Sequence, residues 1–414
     1  MLAVLRHRRF AALFASQVAS LVGTGVLTVA LALVAVRIAG EDAAQIIGIA
    51  LTIRIAAYVV VSPIASALVA GRSSRAVLIG ADAARLVIAI GLVLATEAWH
   101  LYLAILLLQS ASAVFTPTYQ AVIPEVLPDE RDYTSAQSLS RLAYDLESLL
   151  SPVLAAVLVL VLPPNALFAV TAAGFAISAL AVALSRISQR AGAAGEPFSS
   201  RLTRGLRLMA RMPAVRFLAV LDAVTATVYA TVLVTTVVLL VVIGAADVDD
   251  PSGPLAVALV AFGVGSIAVA LLLPRILDRV SDRTVMATGA AVVPVALAAT
   301  ASLAVTGALT LPLVIALWFV LGAASSAVST PSARIIRREV EPDDRPAVFA
   351  ARFSSSHAWY AVTYPIAGLV GSAAGPAAAT AVLAIVALGA LAAALVLSRG
   401  ARPSVDAQAN RPAP

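Results

Sequence analysis

The sequence predicts an all-α membrane protein of twelve transmembrane helices in two pseudo-symmetric six-helix bundles. Three observations carry that prediction. First, 61% of the 414 residues are hydrophobic and only 12% are charged, whereas a soluble domain carries about a quarter charged residues. Second, apolar runs of roughly 20 residues recur along the chain, the length a helix needs to cross ~30 Å of hydrocarbon. Third, the chain repeats itself with a shift of 214 positions: Thr116-Pro117 returns as Thr330-Pro331, Glu125-Val126 as Glu339-Val340, and Pro128-Asp129-Glu130-Arg131 as Pro342-Asp343-Asp344-Arg345.

The elements follow in order. The opening MLAVLRHRRF has too short an apolar stretch for a leader and reads as a cytoplasmic tail entering the first span. Hydropathy places the first six spans at about 10–36, 44–70, 77–96, 101–123, 133–162 and 166–185. An Arg-rich segment, 186–214, separates them from spans at about 215–243, 255–274, 284–305, 311–332, 346–370 and 376–397. The expected domains are therefore 1–185, a basic cytoplasmic linker 186–214, 215–398, and a disordered tail 399–414. Within the linker, Ser199-Ser200 can cap a helix and Leu202, Leu206 and Met209 recur at helical spacing. This is either an interfacial helix on anionic lipid or a linker that is basic because it is cytoplasmic.

Charge gives orientation and excludes functions. All 28 cations are Arg. With the N-terminus inside, 23 fall on inside segments and one, Arg37, on an outside segment, so both termini are expected in the cytoplasm. The positive charge sits between apolar runs, so no nucleic-acid partner is expected. There is no Cys for disulfides or thiolate–metal chemistry. No His-Glu-x-x-His, serine-hydrolase or phosphate-binding loop motif is present, so no enzyme and no ATP-driven pump is expected. No cofactor or metal is expected. The expected partners are a small-molecule substrate and the lipid bilayer, with the chain acting as a monomer.

Six spans, a basic linker and six more spans with an internal repeat form the layout of a secondary transporter. With RRFAALFASQVASLVG in span 1, DAARL in span 3, FTPTYQAVIPEVLPDER leaving span 4 and SLSRLAYDLESLLSP in span 5, the chain resembles the major facilitator superfamily, and within it the bacterial drug and siderophore efflux branch. The resemblance implies alternating access in a bacterial plasma membrane, driven by a proton gradient, with export of an amphipathic small molecule. Movement of lipid or lysolipid between leaflets is the alternative. It also implies a cytoplasmic gate at the loop pattern Gly-x-Leu-x-Asp-Arg-x-Gly-Arg-Arg. In the first half Ala70 stands in the Asp slot, and Arg75 ends the pattern; the second half keeps Asp278 and Arg279, followed by Arg283. Asp82 and Arg85, one turn apart, are assigned to the same gate. Ser151-Pro152-Val153-Leu154-Ala155-Ala156 resembles the exporters' Gly-Pro-x-x-Gly-Gly, with its glycines replaced.

Charges inside spans are the remaining candidates, because an unpaired charge at mid-membrane is costly. Arg141 and Asp145 lie on one face of span 5, Asp145 near mid-depth at ~1.5 Å per residue; Glu147 points elsewhere. Either Asp145 carries a proton, with Arg141 tuning it, or the pair locks span 5 to span 8 or 2. Asp222 either carries a coupling role or serves as a structural carboxylate, its partner being Arg352 or Arg216. Arg54 either binds an anionic substrate group or neutralises Glu147 or Asp145. Gln17, Gln109 and His357 complete the cavity candidates, His357 being a packing residue or a proton relay. An aromatic content of 5% argues against an aromatic-caged cation site.

Overall fold

A computed structural model describes residues 2–39, 43–159, 162–163, 166–187, 197–247 and 252–399. The first half contains α1 (Arg8–Ala39), α2 (Ala43–Val69), α3 (Ser74–Leu92), α4 (Ala98–Val126), α5 (Glu130–Val159) and α6 (Ala166–Leu184). The linker folds as α7 (Phe198–Arg211). The second half contains α8 (Pro213–Ala230), α9 (Thr236–Val242), α10 (Ser252–Leu277), α11 (Asp282–Val305), α12 (Leu311–Ser329), α13 (Ser332–Glu339) and α14 (Arg345–Arg399). Nine of these helical stretches are long and apolar enough to cross a membrane by composition alone. Two more spans, α3 and α5, are helical but carry Arg75, Asp82 and Arg85, or Arg141, Asp145 and Glu147, within their length. The twelfth arises because α14 breaks at Gly375, whose φ of 85° suits glycine alone, just before Pro376.

Two single spans are built from joined pieces. A π-helical turn, Thr231–Thr235, connects α8 to α9; the Thr236 hydroxyl donates to the Thr231 carbonyl there. Such bulges rotate the side chains that follow and concentrate at functional sites. Thr330-Pro331 separates α12 from α13, because Pro331 cannot donate its backbone nitrogen. Small residues then set helix spacing. A Cβ on Gly322 would lie 1.9 Å from the Phe262 carbonyl oxygen, and one on Gly265 would lie 2.0 Å from that of Phe319, so α10 and α12 touch backbone to backbone.

The halves meet where α5 packs on α10 and where α2 and α4 pack on α14. Hydrogen bonds and ion pairs between them gather from mid-depth to the Arg-rich end, including Ser62 to the Ala350 carbonyl (3.1 Å) and Tyr133 to the Ala333 carbonyl (3.1 Å). That end of the molecule is closed. The linker helix α7 begins at Phe198, behind Pro197, rather than after a serine cap. Its buried point is Gly205, against α14, whereas Leu206 is exposed. It therefore docks on protein, not on lipid alone. Residues 188–196 of the linker and 400–414 of the tail lie outside the described residues, as do the side chains of Ser151–Ala156.

Candidate functional site

The site has three layers along the seam between the halves. At the Arg-rich end sits a charge latch. Asp129 begins α5 by accepting the backbone N–H groups of Arg131 (2.9 Å) and Asp132 (3.0 Å). Those bonds, the Asp132 one foremost, hold the Asp129 carboxyl below its ordinary pKa. Glu130 follows and points across the seam, where Arg334 Nη2 donates to it at 2.8 Å and Arg338 also reaches it. Arg334 donates to Thr134 as well. On the far side Asp282, only 4% exposed, faces both arginines. Arg334 Nε lies 2.7 Å from Asp282 Oδ1, a charge contact whose N–H is not aligned on the oxygen. Asp278 also crosses the seam, to Arg131 at 3.5 Å, but both groups are exposed. Arg279 makes no ion pair among the described residues, and Arg283 faces Glu339 at 3.9 Å within its own half.

Three residues assigned to this gate are corrected. Asp82 and Arg85 lie inside the first half, not at the seam. Asp82 pairs with Arg85 and accepts the Ser178 hydroxyl at 2.7 Å, while Arg85 donates to Ser20 at 2.9 Å and lies between the rings of Phe115 and Phe175. The cause is the helical turn that pairs them: their shared face points at α1 and α6. Arg75 likewise bonds the Ala183 carbonyl of α6, within the same half.

The second layer, at mid-depth, is the Arg141–Asp145 pair. Arg141 Nη2 lies 3.1 Å from Asp145 Oδ1, and Asp145 is 7% exposed. Ser266 of α10 donates to Asp145 Oδ2 at 2.6 Å, and Arg141 donates to Tyr229 of α8 at 3.0 Å. The pair thus joins span 5 to the other half through two hydroxyls. Arg141 lines a cavity of about 200 Å³ whose wall also carries Asp222, Arg352 and Tyr360. Of the two partners considered for Asp222, the structure selects Arg352, with bonds of 3.1 and 2.8 Å. Arg352 continues to Ser332 at the start of α13, two residues before Arg334. Polar contacts therefore run from Asp222 in the cavity wall through Arg352 to Ser332, on the helix that carries the latch arginines.

The third layer is a cavity of about 420 Å³ on the first-half side, lined among others by Gln17, Arg54, Arg85, Tyr144 and Glu147. Gln17 accepts from Tyr119 (3.0 Å) and Ser140 (2.8 Å), and its Nε2 finds no acceptor among the described residues. Gln109 accepts the Tyr58 hydroxyl at 2.7 Å. Arg54 lies over the Tyr58 ring and borders a smaller apolar pocket between α1, α2 and α4. His357 Nδ1 bonds the Phe353 carbonyl at 2.7 Å, and its ring packs against Tyr58 and Tyr360.

A string of rings runs along the seam through Tyr58, His357, Tyr360 and on to Tyr229 and Tyr364. Sequence reasoning missed Glu130, Asp282, Arg334 and Arg338 as latch residues. The signal was present in the repeated Pro-Asp-Glu-Arg turn and in Arg334-Ile335-Ile336-Arg337-Arg338, whose first and last members share a helix face.

Comparison with known proteins gives a consistent picture. The Major Facilitator Superfamily pattern matches residues 13–258 and 245–414. Macrolide efflux protein A of Streptococcus pyogenes is 28% identical over 186 residues, 43% of this chain. The match spans 45% of that relative, so the chain covers less than half the length of the curated relatives it matches. Three solved structures share the fold at low identity. The human organic anion transporter MFSD10 (TETRAN) superposes with a TM-score of 0.76 at 11% identity, covering 94% of this chain and 99% of that one. A bacterial homologue of the iron transporter ferroportin in its outward-facing state gives 0.73 at 15%, covering 95% and 98%. The Escherichia coli fucose:proton symporter gives 0.68 at 14%, covering 94% and 98%.

Proposed function

Because this chain belongs to the major facilitator superfamily and is a multi-pass membrane transporter, we propose that it is a proton-coupled exporter of amphipathic small molecules. In this reading it lies in a bacterial plasma membrane with the Arg-rich end in the cytoplasm, so the closed latch makes the structure outward-facing. The observation that carries the proposal is Asp145, a buried carboxylate that joins the halves through Ser266 and shares Arg141 with Tyr229. While ionised it accepts from Arg141 and Ser266. Protonation removes its charge and its capacity to hold both donors, which loosens α5 from α10. One proton thereby biases the seam that alternating access must rearrange.

The larger cavity supports an amphipathic cargo. Arg54, Glu147 and the unpaired Gln17 Nε2 offer polar contacts, while the neighbouring pocket along Leu27, Leu31 and Ile105 is apolar. A macrolide is a suitable first probe, given the efflux relative. The apolar pocket beside Arg54 also fits an acyl chain, which keeps lysolipid movement as the second reading. Thermal-shift measurements on purified protein against macrolides, dyes, siderophores and lysolipids test the cargo. Stabilisation by macrolides or dyes supports export of such compounds. Stabilisation by lysolipid alone replaces that reading with lipid movement.

A further inference from the structure

The 214-residue repeat gives each latch residue a counterpart. Glu130 meets Arg334 and Arg338. Its counterpart is Asp344, and the counterparts of the two arginines are Gln120 and Pro124 on α4. The first half therefore presents no cation to Asp344 from the equivalent helix. The neighbouring α2–α3 corner has also lost its loop carboxylate, with Ala70 in that slot.

One element meets both positions. Arg204 of α7 pairs with Asp344 through Nε, and Arg201 Nη1 donates to the Ala70 carbonyl at 3.2 Å. Next to Arg204, Gly205 meets α14 so closely that a Cβ there would lie 2.1 Å from the Ala347 carbonyl oxygen. We infer that α7 is the second latch of the transporter, an arm of the second half that Arg204 anchors on Asp344 and that Arg201 fastens to the first half at Ala70.

The division of labour follows from connectivity. Only Met212 lies between α7 and α8, so α7 belongs covalently to the second half. Arg204–Asp344 and the Gly205 contact fix α7 to α14 of that same half. Asp344 also lies just before α14 begins, where a carboxylate is favoured by the helix dipole. Arg201 then carries the contact across the seam to α2. Arg201 and Arg204 are positioning residues: they touch no substrate but hold the Arg-rich end shut. The inference rests on the alternating-access reading but not on the identity of cargo or ion.

Its test reads conformation rather than transport. The chain has no Cys, so Ser329→Cys, in the wall of the cavity above the latch, gives a single reporter. Inside-out vesicles are labelled with a membrane-impermeant maleimide, with melting temperature followed in parallel. Arg204→Ala and Arg201→Ala should each speed labelling by up to about fivefold, the size a partly exposed ion pair can carry. The charge swap Arg204→Asp with Asp344→Arg should restore the parent rate, which a packing role for α7 would not. Should the Arg204 variants fail to insert, Arg201→Ala, which removes one bond to one carbonyl, decides alone. Labelling unchanged in Arg201→Ala, or a charge swap as fast as Arg204→Ala, overturns the inference. Either result would leave proton coupling at Asp145 untouched.

Discussion

Replacing Glu130 with Ala should open the latch without weakening the fold. Contacts that cross the seam bear directly on the open–closed balance, whereas contacts within one half do so only where they hold a crossing element in place. Glu130 makes two crossing contacts, to Arg334 and Arg338, and its side chain is 48% exposed. Each charge-assisted contact at that exposure is worth up to ~1 kcal/mol, so the pair contributes about 1–2 kcal/mol. That shifts the ratio of closed to open molecules by about 5- to 30-fold. Arg334→Ala removes one of the same crossing contacts, but it also strips a partner from Asp282, which is 4% exposed and belongs to the same half. Leaving a buried carboxylate short of a partner costs about 3 kcal/mol of fold stability, in open and closed states alike. Spin labels on exposed Arg72 and Arg275, one per half, report opening by pulsed electron resonance, and detergent-solubilised melting reports stability. Glu130→Ala should lengthen the distance and leave the melting temperature near the parent value. Arg334→Ala should lower the melting temperature well below it. Equal melting losses in the two variants, or an unchanged distance in Glu130→Ala, would refute this separation.

Three further outcomes follow from the same geometry. Asp278→Asn should leave transport within about twofold of the parent, since its pair with Arg131 is exposed on both sides, while Asp282→Asn should lower both melting temperature and turnover. Gly322→Ala should cost at least ~2 kcal/mol, because its Cβ meets the Phe262 backbone rather than a movable side chain; a melting curve unchanged from the parent would contradict the close α10–α12 approach. Arg54→Ala should raise the Kd for a bound cargo about tenfold, the loss of one charge-assisted contact, as read by tryptophan fluorescence or calorimetry.

The fold was legible because its signals are long-range averages. Hydropathy over 20 residues located the spans, and the +214 repeat tied Thr116-Pro117 to Thr330-Pro331 across the halves. The pairing along one helix was legible too: Arg141 and Asp145 share a face of α5, as four-residue spacing requires. What the sequence left open was the partner. Spacing offered Asp222 both Arg352 and Arg216, and only packing of α8 on α14 chooses Arg352. Asp82 and Arg85 were drawn to the gate by charge, yet rotation of α3 turns them toward α6. Asp282 was overshadowed by Asp278, which occupies the family's position in the loop, although the first residue of α11 is the better buried of the two. Pair geometry depends on helix rotation, and hydropathy averages that away.

The most direct test of proton coupling is transport by Asp145→Asn in inside-out vesicles, measured in two modes. Asn keeps the shape and a hydrogen-bond acceptor for Ser266 but cannot take up a proton. Uptake of cargo driven by an imposed pH gradient should be abolished, while exchange of labelled for unlabelled cargo at equal pH should persist. Full gradient-driven uptake by Asp145→Asn would contradict the assignment of the proton site to Asp145.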